Sequence, residues 1–288
     1  MTYMSNNRHK NPHKYLAAPA AQSDLPTLLY ATIDELRDGL DKGKFTSVHL
    51  TKAYIKRIEE VSQQLKAVIG VNTDALTIAA EKDKEREKAF ANNIMLPLLH
   101  GIPVNLKDNI GTNDKMDNTA GSFALVGAKL RRDSTMAANL RKAGAIILAK
   151  DNLSQWAHWR GQYLPSGWSS IAGQCVGAFG GNPMGSSSGG GVVSAVGLTW
   201  ASLGTETAGS IIYPAWYNNV VGIKPTIGLT SRYLVVPISG HHDTVGPMAR
   251  TVKDAAALLN VMAGKDSNDK YTSLIPNNGK IPDYVAAY

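Results

Sequence analysis

The sequence predicts an α/β fold, a mixed and largely parallel β-sheet flanked by helices on both faces. Three observations lead there. Beyond residue 95 short apolar runs alternate with helical stretches, the pattern of a sheet covered on both sides. Hydrophobic residues make up 43% and charged residues 18% of the chain, the balance of a packed globular protein rather than a disordered one. At 288 residues the chain buries roughly three quarters of its unfolded surface and folds without staples. The one cysteine, Cys175, rules out an intrachain disulfide and a multi-cysteine metal cage.

Residues 1–26, rich in Asn, His, Ala and Pro, read as a mobile extension, and residues 27–288 as one catalytic-sized domain. Thr32 with Glu35 three residues on is a capping box before Ile33, Leu36 and Leu40. A second helix carries Leu50, Tyr54, Ile58 and Val61 at helical spacing. Leu65 to Val71 is a short strand, and Thr73 to Phe90 a helix whose acids and bases interleave as on a solvated face. Strand Ile102 to Leu106, helix Ser134 to Lys142 and strand Ala145 to Ala149 follow.

The net charge of +7 is concentrated in the first 150 residues, which carry +6 of it. There acids alternate with bases and match no nucleic-acid module, so no nucleic-acid partner is expected. Arg8, Lys10 and Lys14 form a polar head with no apolar run behind it, which argues against a secretory signal and for a cytoplasmic location. The most apolar stretch, Val192 to Leu203, is interrupted by Ser194, Gly197, Thr199 and Ser202 and is too short to span a membrane.

Between Gly161 and Ile223 the single charged residue is Glu206, yet 14 of the 27 glycines fall there. A flexible linker would look similar around Gly185 to Gly191, but Val192, Val193, Val196, Leu198, Trp200 and Leu203 follow directly, so these glycines are embedded in core sequence. Glycines so placed let backbone N–H groups approach a ligand and form an anion-binding nest. A phosphate loop would need Lys then Ser or Thr after the last glycine, where Val192 and Val193 stand; the dinucleotide fingerprint fails too, because Ser194 ends it. The remaining use of a nest is to stabilise an oxyanion beside a nucleophile. Gly204 to Ser210 supplies a hydroxyl, Ser210, and a run of backbone donors. For its base, His100, His158, His241 and His242 are candidates by position alone, whereas Lys107 closes the apolar strand from Ile102 to Leu106, where desolvation would neutralise an amine. His241 and His242 have no third ligand at suitable spacing, so no metal site is expected and the two read as loop or pocket-lining residues.

These residues resemble the amidase signature enzymes, which use a Ser–cis-Ser–Lys triad. Leu99 to Asp108 is similar to the family's catalytic-lysine strand, and Gly204 to Ile211, continuing through Val221 to Thr226, to its nucleophile segment. Asp243 to Arg250 and Ala143 to Leu148 extend the likeness, which runs from about Thr32 to the C-terminus. The resemblance implies an amidase signature fold and an α/β hydrolase cleaving a small-molecule or peptide amide without a cofactor. It assigns Lys107, Ser186 and Ser210 to catalysis, with a cis peptide before Ser186, and the N–H groups of Thr207, Ala208, Gly209 and Ser210 to the oxyanion. Ser187 and Glu206 support the loop. The resemblance admits a homo-oligomer and implies no membrane association.

Two departures from the pattern stand out. Ile212 occupies the position where the family often carries Arg, removing a cationic grip on an acidic substrate. That weighs against the glutaminase component of a tRNA-dependent amidotransferase and for the branch of peptide amidases and fungal amidases. Family members also run considerably further than this chain, so a C-terminally incomplete domain is expected, and with it a second reading: a catalytically weak homologue acting as a binding or interaction protein. Trp156, Trp159, Trp168 and Trp216 are expected either to line an approach to the site or to pack into the core.

Overall fold

The computed structural model describes residues 24–159 and 163–287. The extension expected over residues 1–26 therefore lies, up to residue 23, outside the described residues. Thr32 forms the predicted capping box with Glu35 and opens α1 (Ile33–Asp41); Thr46 caps α2 (Ser47–Leu65). Leu36, Leu40, Leu50, Tyr54 and Ile58 are the buried faces of this pair, as their spacing requires. Lys66 adopts a left-handed conformation with φ of 47°, stopping α2 and delaying β1 (Val68–Val71) beyond the predicted Leu65. The charged segment forms α3 (Ala75–Ala91), and then come β2 (Pro103–Lys107), α4 (Thr135–Lys142) and β3 (Ile146–Asp151).

A two-stranded ribbon of β4 (Trp168–Ser169) and β5 (Gly173–Gln174) precedes α5 (Ser188–Ala195), which grows directly out of the glycine-serine loop. Next are β6 (Ala201–Glu206), α6 (Ile212–Tyr217), β7 (Val221–Gly222), β8 (Thr244–Ala249) and α7 (Val252–Met262). The main sheet has the order β1-β3-β2-β6-β8-β7. Its centre, β3-β2-β6, is parallel; β1 and β8 run the opposite way and β7 returns to the majority direction, the mixed sheet expected. β2, β3, β6 and β8 are buried along their whole length, so α5 packing across them and α7 packing across β6, β7 and β8 leave no face of the centre in water. Among the described residues no helix is long and apolar enough to cross a membrane.

Candidate active site

Lys107 is the last residue of β2, the strand flanked on both sides by parallel neighbours, and it has no solvent exposure. Its Nζ lies 2.8 Å from Ser186 Oγ and donates to Thr205 O at 3.2 Å. Burial destabilises its ammonium form and draws its pKa down to about 7, against the opposing pull of Glu206 and Asp243. α5, packed over this part of the sheet, carries no charged residue.

The peptide bond between Gly185 and Ser186 is cis. Ser186 and Ser187 both lie at zero exposure beneath the start of α5. Ser187 ties the two loops together: its N–H donates to Ser210 O at 3.0 Å, its Oγ donates to Thr205 O at 3.0 Å, and the same Oγ accepts from Thr205 N at 3.2 Å.

Ser210 sits in the turn between β6 and α6 and is 8% exposed, the most accessible of the three candidate catalytic side chains. Glu206 holds the turn closed. Its Oε1 accepts from Gly209 N at 2.8 Å, and its Oε2 accepts from Ile211 N at 2.7 Å and Ile212 N at 3.0 Å. One carboxylate thus satisfies N–H groups at the start of α6. It also corrects one expectation: the Gly209 N–H is taken by Glu206 and is not an open oxyanion donor. Among the described residues no acceptor engages the N–H groups of Thr207, Ala208 or Ser210. Gly209 has φ of 86°, and a Cβ there would meet the Tyr213 ring at 2.3 Å, so the turn requires glycine. Among the described residues no hydrogen bond joins Ser186 Oγ to Ser210 Oγ; the two serines are linked through Ser187 instead.

The imidazoles named from the sequence lie elsewhere. His100 pairs with Glu85 at 2.8 Å, His158 with Leu164 O at 3.1 Å, His241 with the Tyr271 hydroxyl at 2.8 Å and His242 with Ser239 at 2.9 Å. Among the described residues no group of three His, Cys, Asp or Glu is arranged to hold a metal. A cavity of about 330 Å³ opens beside the turn that carries Ser210, lined by Thr205, Thr207 and Asp243 together with Val235 to Ile238. None of Trp156, Trp159, Trp168 and Trp216 borders it; Trp216 instead lies exposed on α6, edge-to-face with Tyr217.

The amidase family model matches residues 49–286. The chain belongs to the amidase family. A protein of Arthroderma benhamiae named as an amidase is 51% identical over 92% of this chain and 48% of its own length. The solved structure of native peptide amidase from Stenotrophomonas maltophilia superposes with a TM-score of 0.85 at 44% identity, covering 89% of this chain and 52% of that one. A glutamyl-tRNA(Gln) amidotransferase chain of Paramagnetospirillum magneticum is 36% identical over 89% of this chain and 51% of its own length. The chain spans about half the length of the relatives it matches, and its fold is that of the amidase structures over the shared part.

Sequence reasoning passed over two buried charged groups at the end of β3. Asp151, the register partner of Lys107 on β3, binds Asn105 Nδ2 at 2.7 Å and Ser202 Oγ at 2.5 Å, and burial raises its pKa to about 7. Beside it Lys150, also fully buried, donates to Ile110 O and to Asn118 Oδ1 at 2.9 Å, and burial lowers its pKa to about 8. The signal was present: Lys and Asp adjoin at the end of the apolar strand that begins at Ala145.

Proposed function

We propose that this chain carries the catalytic machinery of an amidase that cleaves a linear carboxylic or peptide amide through an acyl-serine intermediate. The observation that carries the reading is Lys107 Nζ lying 2.8 Å from Ser186 Oγ at zero solvent exposure, with a pKa drawn to about 7. A neutral amine there has a lone pair for the Ser186 proton. Ser186 in turn takes the proton of Ser210, whose Oγ attacks the amide carbon. The N–H groups of Thr207, Ala208 and Ser210 face the developing oxyanion, each well-aimed donor contributing about 10²–10³ in rate. As the C–N bond breaks, the proton returns along the same path to the departing nitrogen, which leaves as ammonia or an amine. Water then cleaves the ester, releasing a carboxylic acid and restoring Ser210. The link from Ser186 to Ser210 forms as substrate settles, since catalytic hydrogen bonds are often long before the complex assembles. The relay uses only groups of the chain itself.

Two observations favour a peptide-amidase-like substrate over the glutamine chemistry of an amidotransferase. Ile212 stands where a guanidinium would grip a substrate carboxylate, and identity to the peptide amidase, 44%, exceeds that to the glutamyl-tRNA(Gln) amidotransferase chain of Thermotoga maritima, 29%. The test is ammonia release from a peptide amide together with labelling by a fluorophosphonate serine probe. Both should be present in the wild type and fall by about 10⁴-fold or more in Ser210→Ala and Lys107→Ala. A well-folded chain that neither releases ammonia nor takes up the probe would establish the alternative, an inert homologue acting by binding.

A further inference from the structure

Asp243 stands just before β8 and was singled out in the sequence only as the start of a matching run. Its carboxylate joins two structures that its neighbours leave separate. Oδ1 accepts from the Thr207 hydroxyl at 2.5 Å, on the nucleophile turn, while Oδ2 accepts from Ile238 N at 2.8 Å and Ser239 N at 2.9 Å, on the loop that walls the cavity. A second clasp fixes the far side of that loop: Arg232 pairs with Asp269 at 2.8 Å and donates to Gly240 O at 2.7 Å. Arg232 is held chiefly by Asp269, and Asp243 adds a weaker attraction to the same guanidinium.

We propose that Asp243 is a positioning residue of the amidase site, holding Thr207 so that the turn's open N–H groups stay aimed at the oxyanion and keeping a negative charge directed at Lys107. The inference rests on the catalytic reading above. The charged groups around Lys107 are few. Glu206 from β6, which also accepts from three N–H groups of the turn, exerts the larger carboxylate pull and Asp243 the second; Asp151 from β3 is bound to Asn105 and Ser202, and α5 supplies no charge. Asp243 raises the proton affinity of Lys107, against the larger effect of burial. Removing its charge therefore lowers the pH at which Lys107 becomes neutral, a consequence that a merely structural clasp lacks.

The test follows the rate of fluorophosphonate labelling of Ser210 against pH. In Asp243→Asn the plateau rate falls about 10- to 100-fold, because the donors lose their aim, and the midpoint of the pH profile moves to lower pH. In Thr207→Val the carboxylate stays and its bond to the turn is lost, so the rate falls while the midpoint holds. This second variant decides the positioning role if Asp243→Asn does not fold. A folded Asp243→Asn with wild-type rate and midpoint, or a Thr207→Val as fast as wild type, overturns the proposal while Ser210- and Lys107-dependent labelling still upholds the catalytic reading. A wild type that takes up no probe overturns both.

Discussion

At Lys107 burial trades stability for a lowered proton affinity. Burial removes the water that would solvate its ammonium, and the carboxylates nearest it compensate only in part, so the folded chain holds that proton less tightly than the unfolded one. The direction of that shift sets the pH behaviour of the site. Labelling of Ser210 should rise with pH through about 7, where Lys107 loses its proton, and level off above; a flat profile between pH 5 and 9 would contradict the lysine base. Lys107→Arg keeps the reach but stays protonated at any accessible pH, and labelling should be abolished at every pH. For stability the sign runs the other way from a surface lysine. Between the folded pKa near 7 and the ordinary value of 10.5 the unfolded chain binds more protons, so stability rises with pH across that window. Lys107→Met should therefore melt at a higher temperature than the wild type at pH 6, and this advantage should shrink toward pH 10. At this scale Lys107 and Ser210 stand out in the sequence as candidates, from the strand end and the charge-free glycine region. Ser186 was legible only through family likeness, because nothing in a serine-rich loop marks which hydroxyl a distant lysine will meet. Gly209 was misread because its N–H direction depends on where the Glu206 carboxylate points, which is a tertiary fact.

α5 is the element that the sequence disguised most. Its run of Ser188 to Gly191 has the poorest helix propensity of any segment here, and the helix forms because packing requires small residues, not because the backbone prefers it. The glycines are not equivalent. A Cβ on Gly189 would sit 2.2 Å from Ala67 O and 2.5 Å from Asn152 O, backbone atoms of the residues just before β1 and just after β3, which are themselves hydrogen-bonded at 2.8 Å. A Cβ on Gly190 would meet the end of the Met248 side chain at 2.2 Å, which can swing aside. Gly189→Ala is thus expected to destabilise by about 3 kcal/mol or more despite the gain in helix propensity, and Gly190→Ala by about 1 kcal/mol. Urea unfolding of the two variants checks the order; equal losses would mean that the helix, not its contact surface, sets the cost. Helices α1 to α3 were readable because caps and a 3.6-residue period are local signals. β8 is not legible in the same way, since a fully buried strand lacks the alternation that marks one side as wet.

Across the whole molecule α1 and α7 are fastened together by polar groups at the end of the sheet away from Ser210. Arg250, just beyond β8, donates through one nitrogen to Ser194 O at 2.7 Å and Thr199 O at 3.2 Å, and through another to Ala31 O at 2.7 Å. A single guanidinium so joins the end of α5, the approach to β6 and the chain ahead of α1. Asp254 in α7 completes the closure by accepting from Ile33 N at 2.8 Å. No ammonium can span these acceptors, because its donors radiate from one atom rather than from a fork. Arg250→Lys should therefore lower stability by about 2–3 kcal/mol, the range for charge-assisted hydrogen bonds, through a lower urea midpoint with an unchanged slope. The nucleophile turn should not sense the change. Along β8 the sheet register runs from Thr244 opposite Glu206 to Ala249 opposite Ala201, a separation of roughly 17 Å at the usual rise per residue. Below its unfolding transition Arg250→Lys should accordingly label at Ser210 with the wild-type rate and the wild-type pH midpoint. A slowed or shifted profile in the folded variant would show that the closure at this end of the sheet is coupled to the geometry at the other.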